Sequence, residues 1–387
     1  MRRFTLVLGL ALLVTHCAKR NDLHFDALVA DLHSDAVLRM MEGADFGTRD
    51  TAGDMDIPRL RDGGIDLQVM ACWLSTTTPL EECRPHVDSM LDSLMVQLDR
   101  YPDEVAVCRT AADAERIIAS NKTAVFIGIE NGVAIANDTA NLRHFYERGV
   151  RYMTLTHTAS NDWCISSADT APAFQGLTDL GRDIVRKMNE LGMIVDISHA
   201  SPTAVDEVLE ITTDPIIASH SCVYALCKHD RNLTDDQIRA IAANGGVIGI
   251  NFYNGYLSDE WNRMADSLFE AYEPTFDSVD STFVDDKTGR RAARAVLFEE
   301  IERKLAPVGV NVATVVDHID YIVKLVGPDH VALGSDFDGV FALPAGLDDC
   351  TGVPRITEEL LARAYSEGDI RKILGGNFMR VFRQVCD

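Results

Sequence analysis

The sequence predicts a parallel (β/α)8 barrel, and three observations predict it. About eight short apolar, β-rich segments recur along the chain, near residues 28–33, 66–73, 123–130, 151–157, 193–199, 215–220, 246–252 and 330–336. Most of them are separated by segments of helical period, as a parallel sheet covered by helices requires. Most also stop at a histidine or a carboxylate: His33 and Asp35, Glu130, His157, His199, His220 and Asp336. In a barrel the C-terminal strand ends converge on one mouth, where chemistry collects. Four of the eleven histidines sit at such ends, and these residue types are those of a metal site.

Taken in order, the N-terminus comes first. Arg2 and Arg3 precede the apolar stretch Phe4–Val14, too short for the ~20 residues of a membrane span, so residues 1–20 read as a secretory leader. Cys17 stands where a bacterial lipoprotein is cleaved and acylated, although His16 before it is larger than that cleavage prefers. The leader predicts an exported chain, periplasmic or membrane-anchored, with a lipid at Cys17 as the membrane contact. Residues 21–387 then form one barrel domain. Thr139–Arg148 and Leu177–Leu191 carry apolar residues at i, i+3 and i+4, the second stopping at Gly192. Ser201-Pro202 opens a helix with a cap residue and proline, and Thr234–Gln237 has the spacing of a capping box. Residues 253–311 break the rhythm with long charged stretches bearing Trp261, Phe269, Tyr272 and Phe276, and predict a helical insertion after strand seven, near the mouth. Ile356–Arg383 reads as terminal helices on the barrel base.

Composition narrows the function. The 387 residues are 47% hydrophobic and 25% charged, enough for a large core, and the net charge is −24. An acidic surface of that size repels phosphate backbones and argues against a nucleic-acid partner. Apart from Cys17 there are eight cysteines, with no CxxC for a structural zinc cluster and no framework-like spacing. No G-x-G-x-x-G follows the first strand, and no P-loop is present.

The strand ends sort by chemistry. A His33-x-Asp35 pair at one strand end projects from one face and can hold a metal through an imidazole and a carboxylate, with Asp31 orienting a ligand. Glu130 can bridge two metals with its two oxygens; the lesser alternative is a cap for the following turn. His199 and His220 end consecutive strands and can complete a second site, though each alone reads as well as a hydrogen-bonded core histidine. An all-nitrogen-and-oxygen set suits zinc. Asp336, in Gly334–Gly339, is placed to take a proton from a water and deliver it to a leaving amine, whereas Asp338 reads as bonding within the turn.

These residues belong to longer runs. Asp31–Asp35 followed by Asp56–Gly64, Arg151–His157, Ser219-His220-Ser221 with Arg231-Asn232, Gly334–Gly339 and Gly375–Phe378 together resemble the membrane (renal-type) dipeptidases, the M19 metallopeptidases, over nearly the whole chain from about residue 28. The resemblance implies a zinc-dependent dipeptidase with two Zn2+ per chain. It implies that His33 and Asp35 bind one zinc, His199 and His220 the other, and that Glu130 and a hydroxide bridge them. It further implies Asp336 as the proton carrier, His157 as the group that polarises the scissile carbonyl, Arg231 as the clamp for the substrate's free carboxylate, and Tyr256 as a pocket tyrosine. Two zincs about 3.5–4 Å apart would supply hydroxide near neutral pH, and a guanidinium binds a carboxylate bidentately. Departures exist: Ala159 stands near where mammalian relatives carry a cysteine, and the insertion is longer than theirs, which leaves substrate preference open. The alternatives are another amidohydrolase reaction, on a lactam, lactone or amide, and a non-catalytic surface binding protein. No strand ends in the lysine that bridges the metals of many barrel hydrolases, and no ligand is missing, so a dipeptidase acting on small dipeptides is the expected function. Homodimerisation stays open.

Overall fold

The computed structural model describes residues 23–284 and 286–387; the leader and Cys17 lie outside the described residues. Nine strands form one parallel sheet: β1 Ala30–Asp31, β2 Leu67–Trp73, β3 Val105–Val107, β4 Thr123–Glu130, β5 Val150–Thr154, β6 Ile194–Asp196, β7 Ile217–Ala218, β8 Val247–Ile250 and β9 Val331–Leu333. Eight of them close a barrel in the order β1-β2-β4-β5-β6-β7-β8-β9, with Leu333 of β9 pairing back to Asp31 of β1. These are the eight segments expected from the sequence. The ninth, β3, pairs with the first residues of β4 on the side that β5 takes further along. It stands outside the closure and delivers no residue to the mouth, so a pattern of apolar runs ending in ligands passes over it.

The covering helices start and stop on local chemistry. Thr178 caps Asp179–Leu191, which ends on Gly192 at φ 73, a left-handed turn that costs glycine little. Ser201 caps Pro202–Ile211, and Thr234 and Gln237 bond reciprocally at the start of Asp235–Ala243. The sheet's outward face packs on these helices in one continuous apolar layer. Its inward face forms a second, smaller cluster that includes Leu67, Val69, Phe126 and Tyr152. The terminal helix Asn377–Cys386 plugs the base of that cluster, with Phe378 and Phe382 edge-on to Phe126 at ring-centroid distances of 5.4 and 4.9 Å. The barrel is thus closed below and open above.

Between β8 and β9 the chain leaves the barrel as the long helices Asp259–Thr282 and Lys287–Leu305, the insertion after the seventh barrel strand. They meet through Phe269, Phe276 and Phe298. The eight described cysteines are all free and buried. No helix among the described residues is long and apolar enough to cross a membrane.

Candidate metal centre and active site

Glu130 is the one candidate ligand still on a strand; the others follow where strands have ended. β1 stops at Asp31, two residues before His33, and Asp35 is not extended at all: it sits at the N-cap of the helix Ala36–Met41. His33 and Asp35 converge because the chain bends, not because they alternate on one strand. His199 and Asp336 adopt left-handed backbone, at φ 67 and 64, which turns each side chain inward just past its strand. Strained φ values of this kind persist where surrounding structure holds them, often at functional sites.

The side chains meet at the centre of the mouth. The Oε1 atom of Glu130 lies 3.0 Å from His199 Nε2 and 3.4 Å from His220 Nε2, while Oε2 lies 3.4 Å from His33 Nε2. Asp35 Oδ2 and Asp336 Oδ1 approach the same His33 nitrogen at 3.8 and 3.9 Å. His157 Nε2 stands 3.7 Å from Glu130 Oε1. Three groups of donor atoms, each within 4.8 Å of one another, result: His33 with Glu130 and His220, Glu130 with His157 and His199, and His33 with Asp35 and Asp336. The structure therefore brings together all seven of these predicted residues, with Glu130 facing both sides.

Electrostatics separates the two sides. Burial would lower the His33 pKa, but Glu130, Asp35 and Asp336 around it raise it to about 10. Burial and the Glu130 charge push Asp35 well up. Against its own burial, Glu130 is held well below the carboxylate range by His33 and the imidazoles around it. His199 and His220 are pushed down, chiefly by burial. Two neutral imidazoles thus point Nε2 atoms 3.0 Å apart. His33 Nε2, Asp35 Oδ1 and His199 Nδ1 are buried without hydrogen-bond partners. Converging carboxylates and open imidazole nitrogens in a buried site fit divalent cations, whose charge would offset the repulsion.

Three supports were not anticipated from the sequence. His220 Nδ1 lies 2.7 Å from Ser219 Oγ, which donates to buried Asp196 at 2.6 Å. That hydroxyl proton is committed to the carboxylate, so His220 carries its hydrogen on Nδ1 and leaves Nε2 free as a ligand. His33 Nδ1 is likewise paired with Tyr152 Oη at 2.9 Å, and the Tyr152 ring fits because the facing residue is Gly128, where a Cβ would collide with it. Asn251 Nδ2 donates to Asp336 Oδ2 at 2.8 Å, aiming the other oxygen at His33. One signal was available: Asp196 is a carboxylate inside the apolar run Met193–Ile197.

Two expectations change. Asp31 touches neither metal-side residue; it accepts from the backbone and hydroxyl of Ser335 and from Gln68, and so fixes β9 beside β1 one residue before Asp336. Asp338 does not bond within its turn but accepts from Arg39 and the Asp54 amide, pinning the loop around residue 54 to the mouth.

A cavity of about 380 Å³ opens on the site, lined by Glu130, His157, His199, Tyr256 and Asp336 among others. Arg231 lines a neighbouring cavity of about 340 Å³, which meets the first at His199. It is buried; Nη2 donates to the His220 carbonyl at 2.9 Å, and Nε has no partner. Its guanidinium carbon stands 5.4 Å from the Tyr256 ring centroid, so the two residues adjoin between the cavities.

The sequence profile of the membrane dipeptidases, peptidase family M19, matches residues 17–387. The chain belongs to that family. Dipeptidase 3 of Mus musculus is 32% identical over 339 residues, 87% of this chain and 58% of that protein, so the chain spans under two thirds of this relative's length. Among solved structures, the probable dipeptidase PvdM of Pseudomonas aeruginosa superposes with a TM-score of 0.78 at 27% identity, covering 95% of this chain and 98% of that one. Dipeptidase AC, a metallopeptidase of family M19, superposes at 0.76 with 25% identity, over 93% and 99% of the two chains.

Proposed function

We propose that this family member is a zinc-dependent dipeptidase that cleaves the peptide bond of dipeptides bearing a free C-terminal carboxylate. The observation that carries the reading is Glu130, whose Oε1 lies 3.0 and 3.4 Å from His199 and His220 while its Oε2 lies 3.4 Å from His33, the histidine that Asp35 approaches. His33 and Asp35 would hold one ion, His199 and His220 the other, and Glu130 would lie between. Such a pair, when bound, supplies Lewis acidity and a water nucleophile near neutral pH.

The chain's own groups supply the rest. Asp336, aimed by Asn251, accepts the proton of the attacking water and hands it to the leaving amine nitrogen. His157 has its pKa lowered, first by burial, and its Nδ1 lies 3.1 Å from the Thr158 hydroxyl. With Nδ1 accepting from that hydroxyl, Nε2–H is left to donate to the carbonyl oxygen as negative charge develops on it. Arg231 holds the terminal carboxylate, with its unpartnered Nε available, and Tyr256 borders the same end. A buried guanidinium that lines one cavity together with His199 favours a short substrate.

Assay of the purified chain against a dipeptide panel, with zinc counted, tests the reading. Hydrolysis is expected with two zincs per chain and lost on chelation; hydrolysis that survives complete metal removal refutes it. The basic, apolar N-terminus with Cys17 supports export and lipid anchoring, which mass analysis of the mature N-terminus would detect.

A further inference from the structure

The helical insertion does not stay clear of the mouth. Phe341, in the loop after β9, lines the cavity over the metal-side residues together with Leu38, Trp73, Tyr253 and Val340. Its ring is held from behind by the insertion, with centroids 5.7 Å from Phe269, 5.6 Å from Phe298 and 5.9 Å from Trp261, and by Tyr253 at 5.4 Å. All four distances are those of favourable aromatic pairs. Arg291 of the second insertion helix also pairs with Glu42, just past the helix that carries Leu38, tying the insertion to both sides of this wall.

The position of the wall follows from the barrel order. Trp73 ends β2, and β2 lies four strands from β7 in either direction around the closed barrel, through β1, β9 and β8 or through β4, β5 and β6. Arg231 lies in the segment after β7. Trp73 and Leu38, on β2 and just after β1, therefore stand across the mouth from the guanidinium, and Phe341 and Val340 after β9 continue the apolar wall from them toward Tyr253, which packs on Tyr256 beside Arg231. A dipeptide held by its carboxylate at Arg231, with its peptide bond over Glu130, points its N-terminal residue toward the part of the wall that follows β9, β1 and β2, which carries Phe341, Leu38 and Trp73.

Resting on the dipeptidase reading, we infer that the insertion, acting through Phe341, makes this site selective for dipeptides with a bulky apolar N-terminal residue. Phe341 is 37% exposed, so it has contact area left for a ligand. Burying a side chain of Leu or Phe size against such a surface favours it over glycine by about tenfold or more, and an N-terminal glutamate would be desolvated without a partner. Phe341 is a binding residue in this scheme. Phe298, which touches Phe341 and lines no part of the cavity, is a positioning residue.

The test compares kcat/KM of the zinc-loaded enzyme for Leu-Ala and Phe-Ala with that for Gly-Ala and Glu-Ala. The wild type is expected to favour the first pair at least tenfold. Phe341→Ala should reduce that ratio about tenfold, Phe298→Ala should reduce it in the same direction, and Phe341→Leu should retain most of it. General loss of folded protein lowers all four substrates together and leaves the ratio unmoved. A wild type that cleaves Gly-Ala as fast as Leu-Ala overturns the inference without recourse to any variant, as does a ratio unchanged in a folded Phe341→Ala. Failure to cleave any dipeptide overturns the dipeptidase reading as well.

Discussion

Replacement of Asp336 by asparagine isolates proton transfer from everything else that the residue does. The backbone there is at φ 64, a conformation that asparagine tolerates as well as aspartate, so Asp336→Asn adds no strain where alanine would. The Asn251 Nδ2–H bond to Oδ2, 2.8 Å in the native chain, survives with the amide oxygen as acceptor and loses only its charge assistance, about 1 kcal/mol. What disappears is a carboxylate oxygen 3.9 Å from His33 Nε2 able to accept and release a proton. General acid–base groups contribute roughly 10²–10⁴-fold, equivalent to about 3–5 kcal/mol of barrier. The expected result is a kcat lowered by that factor, KM changed by no more than about threefold, and both zincs retained. Steady-state kinetics on a Leu-Ala substrate and metal analysis of the same sample read all three. Turnover within threefold of wild type refutes the assignment of the proton carrier. Loss of one zinc also refutes it, in favour of Asp336 acting as a third donor beside His33 and Asp35.

Further expectations follow from the same geometry. Arg231→Ala should raise KM for free dipeptides by at least tenfold more than for the corresponding C-terminal amides; equal effects on both would remove its role as a carboxylate clamp. A Cβ at Gly339 would press into the Asp35 and Asp336 carboxylates, so Gly339→Ala should weaken zinc binding by about 10–100-fold in competition with a chelator, and unaltered affinity would show that the loop yields. His318 is buried away from the metal centre, accepts from the Val223 amide through Nδ1 and faces the Leu257 carbonyl through Nε2, and burial lowers its pKa to about 4. The unfolded chain therefore binds the proton first as pH falls, so this stability is present above about 6.5 and is lost between 6.5 and 4, about 3 kcal/mol in all. Urea unfolding at pH 7 and pH 4.5 should show a smaller acid loss in His318→Gln than in wild type; equal losses would count against the assignment.

How much of this was legible beforehand depends on the range over which each feature is encoded. The barrel strands were visible because burial on both faces demands unbroken apolar runs, and their order around a closed barrel follows from chain order. The residues that meet at the mouth were visible because polar groups abruptly end those runs. The means by which they meet was not. Asp35 arrives on a helix cap, and His199 and Asp336 arrive through left-handed turns, which depend on backbone angles that no spacing rule encodes. Asp338 and Asp31 were misjudged for a related reason: their partners lie 284 and 304 residues away.

The sequence by itself determined that apolar strands deliver four histidines and three carboxylates to one end of a barrel, since period and residue type are local properties. Tertiary structure alone decided that Ser219 and Asp196 set the tautomer of His220, that Asn251 aims Asp336, and that an insertion more than forty residues long turns an aromatic face toward the mouth through Phe341. Each of those depends on directional contact between side chains distant in sequence, which only closure of the barrel brings within reach.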